Sequence, residues 1–315
     1  MSSPFFNGFE RAEPHLMDST AVTTYMQCPR KYFYRMVLGY SADVQMPYFA
    51  FGSAYHLFRE VLERAYMADP LESNWTDYIL AALDAASKYC DKHLKPVDDP
   101  KNKWAFMTKD RLIKSCVFAA NHWKAEKKSG RITVLSIEQP FQIALPDGRI
   151  IAGRADQVIN LSGKIWGRDF KTSSTQGNYY VNSLNPNDQF TRYTYAENKL
   201  VGWDESDIND RPKVEGQMIE VLFNAKTVGP TLETYPAQRT RSELLMWLKE
   251  QEVWHKQMQI NRDTDVWPMN TKSCTFCEFR KVCDLPNETS QMSQLKRNYK
   301  HSPWDCTRSE GDGKE

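Results

Sequence analysis

Long apolar runs are missing from this chain of 315 residues. No run of about 18 apolar residues occurs, so we do not expect a transmembrane span. The N-terminal sequence MSSPFF does not form a basic segment followed by an apolar stretch, so we do not expect a secretory signal. Together these absences predict a cytoplasmic protein without a membrane partner.

A strong excess of charge is missing as well. The 41 Lys and Arg residues and the 40 Asp and Glu residues give a formal net charge of +1. Near-neutral charge neither indicates nor excludes nucleic-acid binding, because a binding groove needs local positive charge. The sequence has no GxxxxGK[ST] phosphate-binding loop. If unwinding of a nucleic acid is needed, it would therefore come from a partner protein.

Cysteines are few, but four of the seven are spaced like metal ligands. Cys28 precedes Pro29 near the N-terminus, whereas Cys274, Cys277 and Cys283 lie close together near the C-terminus. Four thiolates can bind an iron–sulfur cluster or a structural Zn²⁺, and either centre would tie the two ends of the chain together. The other three are expected to be two buried thiols and one free thiol: Cys90, Cys116 and Cys306.

Hydrophobic periodicity predicts a helical first third followed by a sheet, and so an α/β fold. Predicted helices cover residues 19–28, 29–38, 50–67, 75–93 and 103–128. Turn sequences then separate alternating β-branched segments, which predicts an antiparallel meander over residues 132–145, 149–161 and 164–172. The remaining elements are a helix that begins at Asn185-Pro186 and ends near residue 200, strands at 217–225 and 231–235, and a helix at 239–260.

Counting along the two predicted hairpins brings acidic residues of three strands together. If Ser162-Gly163 is a two-residue loop, Asp156 lies opposite Asp169. If residues 146–148 form a three-residue loop, Glu138 lies opposite Asp156. Lys171 shares the face of Asp169, because alternate residues of a strand point to the same side. A slip of one residue in either hairpin would break this cluster.

Such a cluster has a specific chemical use. Carboxylates this close repel one another, and a divalent cation removes that repulsion. Hard oxygen ligands suit Mg²⁺ or Mn²⁺. A lysine beside the cation can orient or deprotonate a water and stabilise developing negative charge, as phosphodiester hydrolysis requires. The alternative is a solvated face on which Glu138 and Lys171 form surface pairs.

Two helices carry further candidate residues. His56 shares one helical face with Gly52 and Glu60, and a neutral imidazole can be an additional Mn²⁺ ligand, although histidines in helices are more often structural. Gln189 and Tyr193 lie one turn apart and could donate hydrogen bonds at the metal site or to a nucleic-acid backbone. Alternatively, Tyr193 packs in the core.

Basic residues lie near both parts of the cysteine set and are candidates for binding phosphate: Arg30, Lys31, Lys272, Arg280 and Lys281. The aromatic residues at 32–34 can either stack on unpaired bases or pack in the core.

In this order, these residues resemble the RecB-like branch of the PD-(D/E)XK nuclease superfamily. The most similar groups are the iron–sulfur exonucleases associated with CRISPR adaptation and the AddB-type nuclease domains. The resemblance extends from Cys28 to Cys283 and rests on an ordered set of motifs: Cys28-Pro29 with Tyr32, Gly52 to His56, Gly153-Arg154-Ala155-Asp156, Asp169-Phe170-Lys171-Thr172, Gln189 to Tyr193, and Cys274-x2-Cys277-x5-Cys283.

The resemblance implies a restriction-endonuclease-like core, in which helices flank a central mixed sheet, and an iron–sulfur staple that joins the termini. It implies that Lys171 is the catalytic lysine, that Glu138 matches an acid often found in the first core strand, and that Gln189 and Tyr193 form the QxxxY motif. It also implies two metal sites: Mg²⁺ or Mn²⁺ on His56, Asp156, Asp169 and the Phe170 carbonyl, and a 4Fe-4S cluster on Cys28, Cys274, Cys277 and Cys283. Ala155-Asp156 replaces the Pro-Asp of the superfamily name, and Asp169 replaces the commoner Glu, both of which occur in this branch.

We therefore expect a metal-dependent DNA exonuclease that acts on single-stranded or resected ends in recombination, repair or spacer acquisition. Two alternatives stay open: a DNA-binding or assembly subunit of a recombination or CRISPR-adaptation complex, with nuclease activity secondary, and a structure-specific endonuclease. Possible protein partners are those of recombination, replication or CRISPR adaptation. The expected organisation is one nuclease domain over residues 1–300, with a helical region at about 17–130, a core at 131–262 and an iron–sulfur region of Cys28 plus 271–285. Residues 301–315 are expected to form a disordered tail.

Overall fold

The structure is a computed structural model that describes residues 16–42, 46–68, 74–95, 97, 99, 101–102, 104–145 and 148–306. The helices of this described part are α1 (Ser19–Gln27), α2 (Pro29–Tyr32), α3 (Pro47–Ala68), α4 (Trp75–His93), α5 (Lys109–Lys128), α6 (Asn178–Asn182), α7 (Asp188–Leu200), α8 (Arg241–Thr264), α9 (Arg280–Cys283) and α10 (Glu288–Asn298). Its strands are β1 (Tyr40–Ala42), β2 (Ile132–Ala144), β3 (Ile150–Leu161), β4 (Lys164–Ser173), β5 (Val214–Phe223), β6 (Thr231–Gln238) and β7 (Tyr299–His301).

The fold is mixed α/β, with a five-stranded sheet in the order β2-β3-β4-β5-β6. The meander predicted from the first three of these strands is confirmed by this order, and β3 and β4 are antiparallel. β5 then pairs with β4 in parallel, and β6 pairs with β5 in antiparallel. The sheet is therefore mixed, as the resemblance implied.

The β3–β4 hairpin has the register predicted from its turn. Its paired residues run from Leu161 and Lys164 to Gln157 and Arg168. Ser162 and Gly163 both have positive φ angles, 52° and 91°, which is the geometry of a two-residue type I′ turn. Because this turn matches the twist of the strands, it fixes the pairing of every residue beyond it.

The β2–β3 turn lies partly outside the described residues, at positions 146 and 147. At its base the Leu145 N–H donates to the Arg149 carbonyl, 2.7 Å away, as the predicted three-residue loop requires. Glu138 in β2 has a φ of 48°, an uncommon angle for a residue other than glycine. β2 is therefore locally distorted at the candidate acid.

Two helix starts differ from the sequence-based prediction. The predicted start of α7 at Asn185-Pro186 was wrong, because Asn187 is the cap: its side chain accepts the N–H of Gln189 at 3.0 Å. α5 begins at Lys109 rather than at 103, and the Thr108 side chain caps it through the Arg111 N–H. In both cases a short polar side chain nearer the helix competes for the orphan amides of the first turn.

The chain divides into two compact units. The first contains the described residues up to 42, of 141–153 and of 242–306. Its core contains α1, α2 and a π-helical segment at Phe33–Val37, packed with Trp267, Phe279 and Leu295. Of the two uses considered for residues 32–34, core packing is confirmed, because all three side chains are buried in this core. In the same unit, β1 pairs with β7. Residues 307–315 of the predicted tail lie outside the described residues.

The second unit contains the described residues of 46–140 and 154–241, including most of the sheet. α3, α4 and α5 pack over one face, in a core that reaches Phe170 and Leu222. On the other face, Ile219 and Val221 pack with Phe190 of α7. Because neighbouring residues of β5 point to opposite sides, the sheet is covered by helices on both faces. Whether the chain is one domain, as the sequence predicted, stays a prediction.

No helix in the described part of the chain has both the length and the apolar character needed to cross a bilayer.

Candidate active site and cysteine cavity

The two central aspartates lie where the pairing of β3 and β4 ends. The last paired residues are Gln157 and Arg168, and Asp156 and Asp169 are the next residues of the two strands. Here the Phe170 N–H donates to the side chain of Asp156, at 2.8 Å from Oδ2. The Asp156 carboxylate thus takes the place of a backbone carbonyl as the partner of this amide. Both aspartates are held at this end of the hairpin.

Lys171 and Gln189 converge on Asp169, whose side chain is 1% exposed. The Lys171 amine lies 2.7 Å from Oδ2 and donates to Oδ1 at 3.0 Å. The Gln189 amide also donates to Oδ1, at 3.3 Å, and to the Tyr193 hydroxyl at 3.2 Å. Asp169 Oδ2 is buried and is paired with the charged amine of Lys171.

His56 reaches the same place from α3. Its Nδ1 atom lies 3.4 Å from Asp156 Oδ2, and 27% of its side chain is exposed. α3 approaches the sheet closely at Gly52, where an added Cβ would lie 3.3 Å from the Thr172 hydroxyl. A small residue at this position thus brings His56, one turn later, near the aspartates.

Glu138 lies at the rim of this group rather than among its hydrogen bonds. Its carboxylate is 3.8 Å from the Arg154 guanidinium. Burial, with the charges of Asp156 and Glu60, raises the pKa of Glu138 to about 9. Glu60 is a nearby acid that the sequence analysis left without a chemical role, although its position on the face of His56 pointed to it.

The remaining pKa shifts indicate a buried site in which acidic groups are crowded together. Burial and the charge of Asp156 raise the pKa of Asp169 to about 6, against the opposing effect of Lys171. Burial also raises the pKa of Asp156. For Lys171, burial alone would lower the pKa, but the charges of Asp169 and Asp156 outweigh it and raise the pKa. Lys171 is therefore a cation at neutral pH and can donate hydrogen bonds to a phosphate oxygen or a water.

The donor set fits a hard divalent cation. Two carboxylates and one imidazole are ligand types that Mg²⁺ and Mn²⁺ accept. As they stand, no three His, Cys, Asp or Glu side chains are grouped closely enough to hold an ion, among the residues described. The fit therefore rests on the kind of donor and on the raised acid pKa values.

In the first unit, the four candidate cysteine ligands line one cavity of about 370 Å³. Cys28 is the N-cap residue of α2, as predicted, but its thiol makes no capping bond to that helix. Instead, its sulfur accepts the N–H of Asn270 at 3.3 Å. Burial raises the pKa of Cys277, and raises that of Cys283 to about 11. A bound metal would be needed to hold these two groups as thiolates.

The other three cysteines have the environments that were predicted from the sequence. Cys90 and Cys116 are buried thiols within helices, and Cys306 is a half-buried free thiol.

The candidate DNA-binding residues divide into two groups. Lys31, Lys272 and Arg280 line the cysteine cavity, and Lys281 is exposed on α9. Arg30 is not part of this lining, and its Nε–H donates to the Trp267 carbonyl at 2.7 Å. The sequence analysis missed Phe276, whose side chain lines this cavity and is 94% exposed. Its position inside the Cys274-x2-Cys277 loop was the available signal.

Two solved structures resemble this chain weakly. One is described as a candidate exonuclease from Eubacterium rectale: it has a TM-score of 0.47 and 12% identity, over 89% of this chain and 93% of that chain. The other, designated SSO0001, has a TM-score of 0.30 and 13% identity, over 73% of this chain and 84% of that chain. Both TM-scores lie below 0.5, so neither likeness defines the activity. No curated protein matches the sequence.

A family comparison is decisive where the individual structures are not. The profile of the PD-(D/E)XK nuclease superfamily matches residues 19–284, which include both the aspartate site and the cysteine set. The chain therefore belongs to the PD-(D/E)XK nuclease superfamily.

Proposed function

We propose that this protein is a metal-dependent DNA exonuclease of the RecB-like branch. The observation that carries the proposal is the meeting of His56, Asp156, Asp169 and Lys171 at the end of the β3–β4 hairpin. A bound Mg²⁺ or Mn²⁺ would neutralise phosphate charge and make a water more acidic. His56, Asp156, Asp169 and the Phe170 carbonyl are the proposed ligands.

The protein's own groups have separate tasks in this proposal. Lys171 donates hydrogen bonds to a phosphate oxygen or to the attacking water, since its raised pKa keeps it charged at neutral pH. Gln189 holds Asp169 through its side-chain amide and is itself held by Tyr193. Glu138 has a pKa raised to about 9, so it is a neutral acid at neutral pH.

The four cysteines are the proposed ligands of a 4Fe-4S cluster, with a structural Zn²⁺ as the alternative. Support comes from the shared cavity and from the N–H of Asn270 that points at Cys28 sulfur. Amide hydrogen bonds of this kind stabilise metal-bound thiolates. Lys31, Lys272 and Arg280 around the cavity are proposed to bind the phosphate backbone, and Phe276 to stack on an unpaired base.

The test is degradation of linear and of circular single-stranded DNA by the purified chain with Mn²⁺, Mg²⁺ or EDTA. We expect loss of the linear strand only, in either metal and not in EDTA. Nicking of circles would replace the exonuclease by the endonuclease alternative. Binding of DNA without cleavage in either metal would contradict the enzyme and favour a DNA-binding or assembly subunit. An Asp169→Ala preparation, purified in parallel, excludes a contaminating nuclease.

A further inference from the structure

α3 carries two polar residues, His56 and Arg59, that are three positions apart and differ in their exposure to solvent. His56 is partly exposed and faces Asp156. Arg59 is completely buried, with 0% of its side chain exposed. Residues three apart lie on the same side of a helix, so what holds Arg59 also determines where His56 points.

Arg59 is held from both its own helix and the sheet. Its guanidinium lies 2.6 Å from Glu63, one turn later on α3, and 3.3 Å from Glu220 on β5. Glu220 in turn pairs with Arg168 on β4. The Tyr55 hydroxyl also reaches Glu220, at 3.4 Å. Glu220 thus connects α3 to two strands of the sheet.

Phe170 connects this buried network to the metal site. The Arg59 guanidinium lies over its ring, 4.3 Å from the ring centroid. The His56 imidazole is edge-on to the same ring, with 6.5 Å between the two ring centroids. The backbone N–H of Phe170 donates to Asp156. One residue of β4 therefore contacts Arg59 and His56 with its ring and Asp156 with its amide.

The network is balanced in charge, which explains how it can be buried. Its three cations and three anions are Arg59, Arg168 and Lys127, with Glu63, Glu220 and Glu126. Burial favours protonation of Glu220, but the charges of Arg168 and Arg59 outweigh it and lower its pKa. Apolar residues of the same volume would often serve stability as well or better. The main contribution of a buried ion pair of this kind is therefore that it specifies one packing arrangement of the groups that it joins.

We propose that Arg59 is a positioning residue for the metal site. By pairing with Glu220 and lying over Phe170, it fixes the rotation of α3 about its own axis, and this rotation directs His56 at Asp156. Arg59 itself touches neither metal nor DNA. The proposal rests on the proposed metal site, but it assigns a task to a network that nuclease chemistry alone does not use.

The test measures Mn²⁺ binding by isothermal titration calorimetry on the full chain, without DNA. Removing Arg59 alone would leave buried carboxylates unpaired, so the informative variant is Arg59→Met combined with Glu63→Met, which removes one charge of each sign and keeps the volume. We expect this variant to unfold cooperatively and to bind Mn²⁺ about tenfold more weakly or worse. We expect no further loss when the same pair is added to His56→Ala.

A matched control is the exposed i,i+4 ion pair of α4, Lys88 and Asp84. Lys88→Met with Asp84→Met should leave Mn²⁺ affinity unchanged. Unaltered affinity in the Arg59 and Glu63 variant would overturn the positioning role while the proposed function stands. A loss that adds fully to that of His56→Ala would also overturn it. If the unsubstituted chain binds no Mn²⁺, the proposed function fails and this inference fails with it.

Discussion

Asp156, one residue beyond the last paired residue of β3, accepts the backbone N–H of Phe170 at 2.8 Å. In this hydrogen bond a backbone amide of β4 is paired with a side chain of β3 and not with a backbone carbonyl. It therefore holds an aspartate of one strand against the backbone of the next, beside Asp169. This contact explains how two acids that repel each other remain adjacent, since a hydrogen bond to the charged form favours that form.

Removal of Lys171 is expected to abolish most cleavage without unfolding the protein. Lys171→Ala removes the cation closest to Asp169, and loss of one such donor typically costs about a hundredfold to a thousandfold in rate. Asp169→Ala should be at least as severe. Lys164→Ala, at the exposed start of the same strand, is the control and should cleave normally. Full activity of purified Lys171→Ala, measured on a linear strand, would contradict the mechanism.

Mn²⁺ affinity is expected to depend on pH through Asp169. The pKa of this buried acid is raised to about 6, and only the deprotonated form binds a cation. Affinity should therefore be nearly constant above pH 7 and fall as the pH decreases through 6, with proton uptake by the free protein. Calorimetry in buffers of different ionisation enthalpy measures the released protons. Equal affinity at pH 5 and pH 8 would argue against Asp169 as a ligand.

Loss of one cavity cysteine is expected to remove the metal centre and leave the aspartate site intact. Cys277→Ala should lose the brown colour and iron content of a 4Fe-4S protein, should unfold at lower temperature and should bind DNA more weakly. Its Mn²⁺ affinity should not change. Cys306→Ala, which alters a cysteine outside this cavity, is the matched control. Zinc instead of iron in the purified protein would establish the alternative centre.

Phe276 is expected to contribute to single-stranded DNA binding but not to metal content. Stacking on one base is worth about 1–3 kcal/mol, so Phe276→Ala should weaken binding by roughly fivefold to a hundredfold. Phe118→Ala removes a partly exposed phenylalanine of α5 and should bind as the unsubstituted chain does. Fluorescence anisotropy with a labelled oligonucleotide measures both. Equal affinity of all three proteins would remove Phe276 from the proposed DNA surface.

Two glycines give a matched pair for testing the sheet itself. Gly216 has a φ of 154°, and an added Cβ would lie 2.3 Å from the Ala237 carbonyl oxygen of β6. Gly216→Ala should therefore lower the free energy of unfolding by about 2 kcal/mol or more. Gly229→Ala, where an added Cβ meets nothing within 4 Å, should change it by less than about 0.5 kcal/mol. Denaturant titration compares them, and equal stability would refute the close approach of β5 and β6.

Much of the site could be predicted because turns set register locally. Ser162-Gly163 determines the β3–β4 pairing by its own backbone preferences, so the step from sequence to the Asp156–Asp169 pair needed only counting. The start of α7 could not be placed in this way, since Asn185 and Asn187 are both plausible caps and the packing of the helix selects one. The sequence favoured burial of Tyr32, Phe33 and Tyr34 but could not decide it, because an aromatic run suits a core and a stacking surface alike.

The sequence by itself determined the α/β class, the hairpin register and the order of the motifs, because these depend on periodicity, turn chemistry and spacing. Only the tertiary structure decided that His56 faces Asp156 and that Arg59 and Glu220 form a buried link. It also decided that Phe276 is exposed whereas the aromatic residues at 32–34 are buried. These outcomes depend on how α3 packs on the sheet and which side chains close the two cores. Such contacts join residues far apart in the chain, and no local pattern of the sequence records them.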